Sequence, residues 1–282
     1  MSFIDKPSVL LHNGVKIPTL GYRVRRTDKN VYQNVLTAIH AGYRHFDVCS
    51  DHDVEKAFAR ACRDSGLKRE DFFLTVKIAN SDHGFDAARH GFRNSLSRLQ
   101  TDYADLLLID WPNPVGFRDT YEETIVATWH ALEEIYKSGS ARAIGVANYE
   151  SRHIEYTLDH SEIAPMLNEA RIYPGFPFTD NVDCASSHKI QTEGYLPDED
   201  APILNSRELK IFAEKYKVTP QQICVRYLFE KDCIALVNGS DEKTLAENFN
   251  AYNFRLSSDE MKYLDNMKNY GPENINPDEA DF

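Results

Sequence analysis

Eight short apolar runs, each bounded by turn residues and separated by amphipathic segments, constrain the fold of this chain more than any other feature. They cover residues 19–22, 44–47, 72–77, 105–110, 143–147, 166–170, 189–195 and 234–237. Runs that stay apolar instead of alternating with polar residues are what strands buried on both faces require, as in a parallel sheet. Between them, residues 30–41, 53–65, 87–99, 120–137, 151–160, 206–217 and 220–230 carry helical periodicity. Gly42, Gly66 and Gly139 follow three of these segments where a helix ends on a left-handed residue. Strands alternating with crossover helices predict an α/β fold, a (β/α)8 TIM barrel forming one domain over residues 1–282. The competing open, doubly wound sheet lacks its signature, because no run is followed by GxGxxG or GxxxxGK[ST]. Asn13-Gly14 at the centre of residues 9–17 predicts a β-hairpin, placed across the barrel bottom. Residues 179–205 form the longest irregular stretch around the 189–195 run, and the polar, acidic segment 267–282 reads as a tail near the barrel mouth.

Charge narrows the function classes. With 32 Lys and Arg against 44 Asp and Glu, the net charge of −12 and the lack of basic clusters exclude a nucleic-acid groove or an anionic membrane as partner. A small-molecule substrate is the expected partner, and no protein partner can be inferred. Cys49, Cys62, Cys184, Cys224 and Cys233 are odd in number and never spaced as CxxC, which suits a reducing compartment. Residues 1–7 carry Asp5, Lys6 and Pro7 where a signal peptide needs an apolar core, and no stretch approaches the roughly 20 apolar residues of a membrane span. The expected location is cytoplasmic. The ten histidines show neither HxH nor HExxH spacing, so no metal is expected.

Three runs finish in a charged residue: Asp47, Lys77 and Asp110. A barrel aims such residues at one another across its mouth, which makes them candidate catalytic groups in a coupled acid/base cluster. His52, flanked by Asp51 and Asp53, joins them as a residue able to exchange a proton near neutrality. His83, behind Asp82 in a helix-start loop, reads as structural.

These residues sit in stretches that resemble the aldo-keto reductases, in particular compact, short-loop microbial or fungal members. The resemblance is carried by Asn13-Gly14 with Ile17-Pro18 and Leu20-Gly21, by residues 42–47, by Lys77 with residues 80–84, by residues 108–112 and by residues 143–149. Asn168, Glu193-Gly194-Tyr195 with Pro197, residues 247–249 and residues 254–257 continue it, so that it spans roughly residues 9–267. It implies an Asp, Tyr, Lys and His tetrad, in which Asp47 and Lys77 match, His52 stands at the tyrosine position and Asp110 at the histidine position. It also implies an NADPH site whose vestiges would be Asn148, Glu169, Tyr195, Ser240 and Asn248. Departures there are Arg23-Val24 for glycine and threonine, Glu169 for glutamine, Asp198 and Glu199 in the pyrophosphate turn, and Gly239-Ser240 with Thr244 where the 2′-phosphate is gripped. Tyr22, Arg23, Trp111 and Tyr173 are the expected substrate-pocket residues.

Three readings follow. With catalytic and cofactor positions both altered, the leading expectation is a barrel repurposed for cofactor-independent acid/base chemistry (isomerisation, dehydration or cyclisation) on a small apolar metabolite of secondary metabolism, with no cofactor. An atypical NADPH-dependent carbonyl oxidoreductase is the alternative, and a non-catalytic ligand-binding pseudo-reductase the third.

Overall fold

A computed structural model describes residues 7–198, 201–270 and 275–281. The readings made on residues 1–6, on Glu199 and on residues 271–274 and 282 of the tail lie outside it. Asn13-Gly14 turns the chain between β1 (Ser8–Leu10) and β2 (Lys16–Pro18), which pair antiparallel with Val9 opposite Ile17. Eight parallel strands follow: β3 (Leu20–Val24), β4 (His45–Val48), β5 (Phe73–Ile78), β6 (Leu106–Ile109), β7 (Ile144–Ala147), β8 (Leu167–Arg171), β9 (Gln191–Tyr195) and β10 (Ile234–Val237). Because β10 pairs back onto β3, the sheet has no edge. The hairpin plugs the N-terminal end: Ile17 is buried, and Asn13 Nδ2 donates to the Arg142 carbonyl just before β7 at 3.0 Å.

The helices are α1 (Val31–Ala41), α2 (His52–Asp64), α3 (Phe85–Leu99), α4 (Tyr121–Lys137), α5 (Ser151–Asp159), α6 (Thr179–Ser187), α7 (Arg207–Tyr216), α8 (Pro220–Glu230), α9 (Glu242–Glu247) and α10 (Ser258–Asp265). Local chemistry sets their ends. The Asn30 side chain accepts from the Gln33 N–H to start α1, and Gly42 stops it at φ 105°, a conformation that disfavours any side chain. Thr219 and Gln222 cap α8 reciprocally around Pro220. Residues 179–205 are therefore not irregular throughout. α6 escaped the periodicity because it buries only Ala185, too little for an apolar stripe. α9 and α10 were likewise unread, being 6 and 8 residues long. Among the described residues no helix is long and apolar enough to cross a membrane.

Strand register decides what faces the mouth. Arg23 lies opposite Asp47, Glu169 opposite Glu193, and Arg171 opposite Tyr195. Neighbours across a parallel pair share a face, so these side chains stack in layers at the C-terminal ends of the strands.

Candidate active site

Lys77 is the hub. Its Nζ lies 3.1 Å from Asp47 Oδ2, 2.7 and 2.9 Å from the two Glu169 oxygens, and 3.9 Å from Asp110 Oδ1. Lys77, Asp47 and Glu169 are all buried, whereas the Asp110 side chain keeps 32% exposure and faces the mouth. Burial alone would lower the lysine pKa, but Asp47, Glu169 and Asp110 outweigh it and hold Lys77 charged well above its ordinary range. Asp110 moves the other way. Burial pushes its carboxyl above the usual aspartate value, and the opposing pull of Lys77 does not restore it. Deeper in the barrel Glu193 is pushed up strongly by burial and by the charges of Glu169 and Asp47. Its neighbour His45, 3.4 Å away and fully buried, is pushed down to about 3 by burial. Cys49 is pushed up to about 12 by burial and then by Asp47, so it supplies no thiolate.

Tyr195 forms the wall beside this hub. Its hydroxyl donates to Asn148 Oδ1 at 3.0 Å, and Asn148 Nδ2 donates to the Asp110 carbonyl at 2.8 Å. Asn148 holds this bridge in the left-handed region, φ 60°, which asparagine tolerates better than most residues. The Arg23 guanidinium lies 4.0 Å from the Tyr195 ring centroid and 3.8 and 3.9 Å from Asp47 and Glu169.

From Tyr195 a groove runs outward. An inner cavity of about 480 Å³ is lined by Arg23, Arg171, Tyr173, Tyr195 and the 196–198 turn. An outer one of about 470 Å³ is lined by Lys29, Asn34, Asn238, Gly239 and Ser240. Arg25 ion-pairs with Asp198 between them and lines both. On the other side of Tyr195 a narrow cleft of about 20 Å³ is lined by Trp111, Asn148, Arg171, Phe176, Ile275 and Pro277. The tail closes that cleft: Asp278 accepts from Asn113 Nδ2 at 3.1 Å and Arg152 Nη2 at 2.6 Å, and lies 3.1 Å from His153 Nε2.

Asp47, Lys77 and Asp110 thus converge, as the strand ends implied, while His52 does not join them. It is the first residue of α2, its side chain is 62% exposed, and it contacts Asp53 at 3.0 Å, because Asp51 caps the helix and turns its first turn toward solvent. Tyr22 is not a pocket residue either. It is 1% exposed and its hydroxyl donates to the Gly239 carbonyl at 2.6 Å, packing beneath the groove. Tyr173 is buried but borders the inner cavity, its hydroxyl donating to Asn269 at 3.0 Å. Asn248 is fully buried and donates to the Tyr43 hydroxyl at 3.3 Å, so it serves packing below the groove. Sequence reasoning missed Glu169 as the nearest partner of Lys77, and it missed Arg171 altogether. The signal available was two-residue alternation along β8, which puts Asn168 and Ala170 on one face and Glu169 and Arg171 on the other.

A closed barrel whose mouth gathers a lysine, carboxylates and an elongated groove defines an enzyme of the (β/α)8 class. The chain belongs to the Aldo/keto reductase family, whose model matches residues 19–182 and 189–269. It is 33% identical over 279 residues to "Glyoxal reductase" of Bacillus subtilis (strain 168), covering 98% of each chain. It is 30% identical over 274 residues to "Methylglyoxal reductase DkgA" of Escherichia coli (strain K12), covering 95% of this chain and 97% of that one. A Bombyx mori aldo-keto reductase solved in complex with NADP superposes with a TM-score of 0.82 at 25% identity, over 92% of each chain. These likenesses overturn two expectations. Relatives matched end to end are named as glyoxal and methylglyoxal reductases, against cofactor-independent isomerisation, dehydration or cyclisation. A neighbour of the same fold holds NADP, against a site needing no cofactor.

Proposed function

We propose that this protein is an NADP(H)-dependent reductase of small reactive carbonyl compounds, with 2-oxoaldehydes such as methylglyoxal as the substrate class to test first. The observation that carries the reading is that the groove ends on Tyr195 beside the cluster holding Lys77 and Asp110. The residues fit a dinucleotide along most of that length: two cavities in series, with Lys29 and, once released from Asp28 and Asp198, Arg25 as cations and Ser240 at the outer end. Tyr195 and Asn148 stand where the nicotinamide end would be held, and Arg23 must swing off the Tyr195 ring to admit it. When bound, the dinucleotide supplies a hydride.

The chain's own groups supply the rest. Asp110, raised by burial, keeps a neutral population that donates a proton to a carbonyl oxygen at the mouth. Lys77, fixed by Asp47 and Glu169, places a positive charge beside that oxygen and stabilises the alkoxide as it forms. The apolar ring of Trp111 and the tail residues Ile275 and Pro277 restrict water at the cleft. The test is NADPH consumption by the purified protein with methylglyoxal and glyoxal, alongside calorimetric titration with NADP. Turnover together with dinucleotide binding supports the reading, and an inert protein that binds no dinucleotide overturns it.

A further inference from the structure

Arg171 ends β8 at the junction of the cleft and the inner cavity, and it lines both. Its Nη1 is buried and has no hydrogen-bond partner. Among the described residues no carboxylate lies within ion-pair distance of it, and the Tyr195 ring lies 5.9 Å from the guanidinium carbon. Arg171 as a whole is half-buried, but a guanidinium nitrogen shut off from water with no acceptor is costly, and it marks where an acceptor, best an anion, can arrive. The other cations of the mouth are already matched: Lys77 by Asp47 and Glu169, Arg23 by the same pair, and Arg25 by Asp28 and Asp198. Among the described residues Arg171 is therefore a cation of the inner mouth with no ion-pair partner, and Arg23, at the same tyrosine ring, is placed to share a ligand with it. On the cleft side of Arg171, away from the cavity given to the dinucleotide, Trp111, Ala170, Phe176 and Phe178 make the wall largely apolar.

We propose that Arg171, with Arg23 beside it, binds the carboxylate of a short aliphatic oxo-acid substrate, so that the preferred substrates are anionic aldehydes or ketones. This rests on the carbonyl-reductase reading and narrows it. A planar guanidinium fork matches a carboxylate in two parallel hydrogen bonds. A single unmatched cation suits a single negative charge, and the apolar wall suits the carbon chain that carries it.

The experiment compares wild type with Arg171→Leu and Arg171→Lys in three measurements. Calorimetry with succinate reads carboxylate binding without any turnover. Steady-state rates with 4-oxobutanoate and with pentanal separate an anionic aldehyde from a neutral one. Titration with NADP reads the dinucleotide. The expected result is a loss of about tenfold or more in succinate affinity, and in kcat/KM for 4-oxobutanoate, in Arg171→Leu. Arg171→Lys should recover part of both, while pentanal turnover and NADP affinity stay within about twofold of wild type. Equal losses with both aldehydes, no succinate binding by wild type, or weakened NADP with unchanged succinate binding would each overturn the proposal, the last by assigning Arg171 to the dinucleotide phosphates. Should no NADPH be consumed with either aldehyde, the reductase reading fails, and the succinate arm still decides the role of Arg171.

Discussion

The Arg23 guanidinium covers the Tyr195 ring at 4.0 Å while pairing with Asp47 and Glu169 beneath it, so one side chain ties the groove wall to the charged hub. A flat ring that is to stack on Tyr195 must first displace that cation. The cation–π contact is worth roughly 0.5–2 kcal/mol. Arg23→Ala is therefore expected to bind NADP between about 2-fold and 30-fold more tightly, read by calorimetry. Unchanged or weaker binding would mean that Arg23 contributes to the dinucleotide site and does not cover it.

Lys77 is the nearest cation to two buried carboxylates, and removing it leaves them only the longer contacts to Arg23 at 3.8 and 3.9 Å. Lys77→Met should lose about 3–5 kcal/mol of stability in denaturant unfolding. Adding Glu169→Gln to that variant should restore at least about 1 kcal/mol, since one of the stranded charges is then gone. A single variant as stable as wild type would mean that the cluster takes up protons freely when the lysine is lost.

The barrel was legible because eight runs such as 106–109, buried throughout, call for a parallel sheet, and the glycine signature of the open alternative is missing from the sequence. Asp47, Lys77 and Asp110 were legible for the same reason, since strand ends in a barrel share one rim. What was not legible depends on three-dimensional pairing: Glu169 meets Lys77 across 92 positions of sequence, and the carbonyl of Asp110 meets Asn148 across 38. His52 misled because its two flanking acids look like partners in sequence. One of them, Asp51, is the cap that turns it outward.

That placement yields a direct expectation. With its side chain 62% exposed and Asp53 as its one ion-pair partner among the described residues, His52→Ala should change stability by no more than about 0.5 kcal/mol and methylglyoxal turnover by no more than about twofold. A hundredfold loss of turnover would place the imidazole in the chemistry, reached by a movement of α2.

Asp278 makes the most side-chain contacts of the described tail residues, beside Arg118 donating to the Ala280 carbonyl and Arg152 to Asn276 Oδ1. Asp278 is drawn down to about 2, since its hydrogen bonds from Asn113, His153 and Arg152 together outweigh the burial that alone would raise it. A depressed carboxylate stabilises above its unfolded pKa of about 3.9 and loses that contribution only as pH falls toward 2, so the tail should stay docked from about pH 4 upward. Asp278→Asn should raise hydrogen exchange in residues 275–281 by about threefold to tenfold at neutral pH. Exchange equal to wild type would show that the tail is held without Asp278, by the Arg118 and Arg152 hydrogen bonds and the packing of Ile275 and Pro277.

Asp110 carries the last expectation. A proton donor works only while protonated, so kcat/KM for methylglyoxal should be highest at low pH. It should fall tenfold per unit as pH rises through the Asp110 pKa, which burial places above the ordinary aspartate value of about 3.9. Lys77, held charged by Asp47 and Glu169, does not titrate in that window. Glu169 and Glu193 are also raised and could mimic the limb, so the variants must separate them. Asp110→Asn should lose about 10²–10⁴-fold in kcat and abolish the limb, while Glu193→Gln, deep below the mouth beside His45, should leave it in place. The stability sign runs the same way. A raised carboxyl favours the folded state fully below its unfolded pKa, and that contribution is lost as pH rises through the folded value, so Asp110→Asn should also flatten the decline of stability over that interval. A limb that survives in Asp110→Asn would move the proton donor elsewhere, with Glu169 the next carboxyl in line beside Lys77.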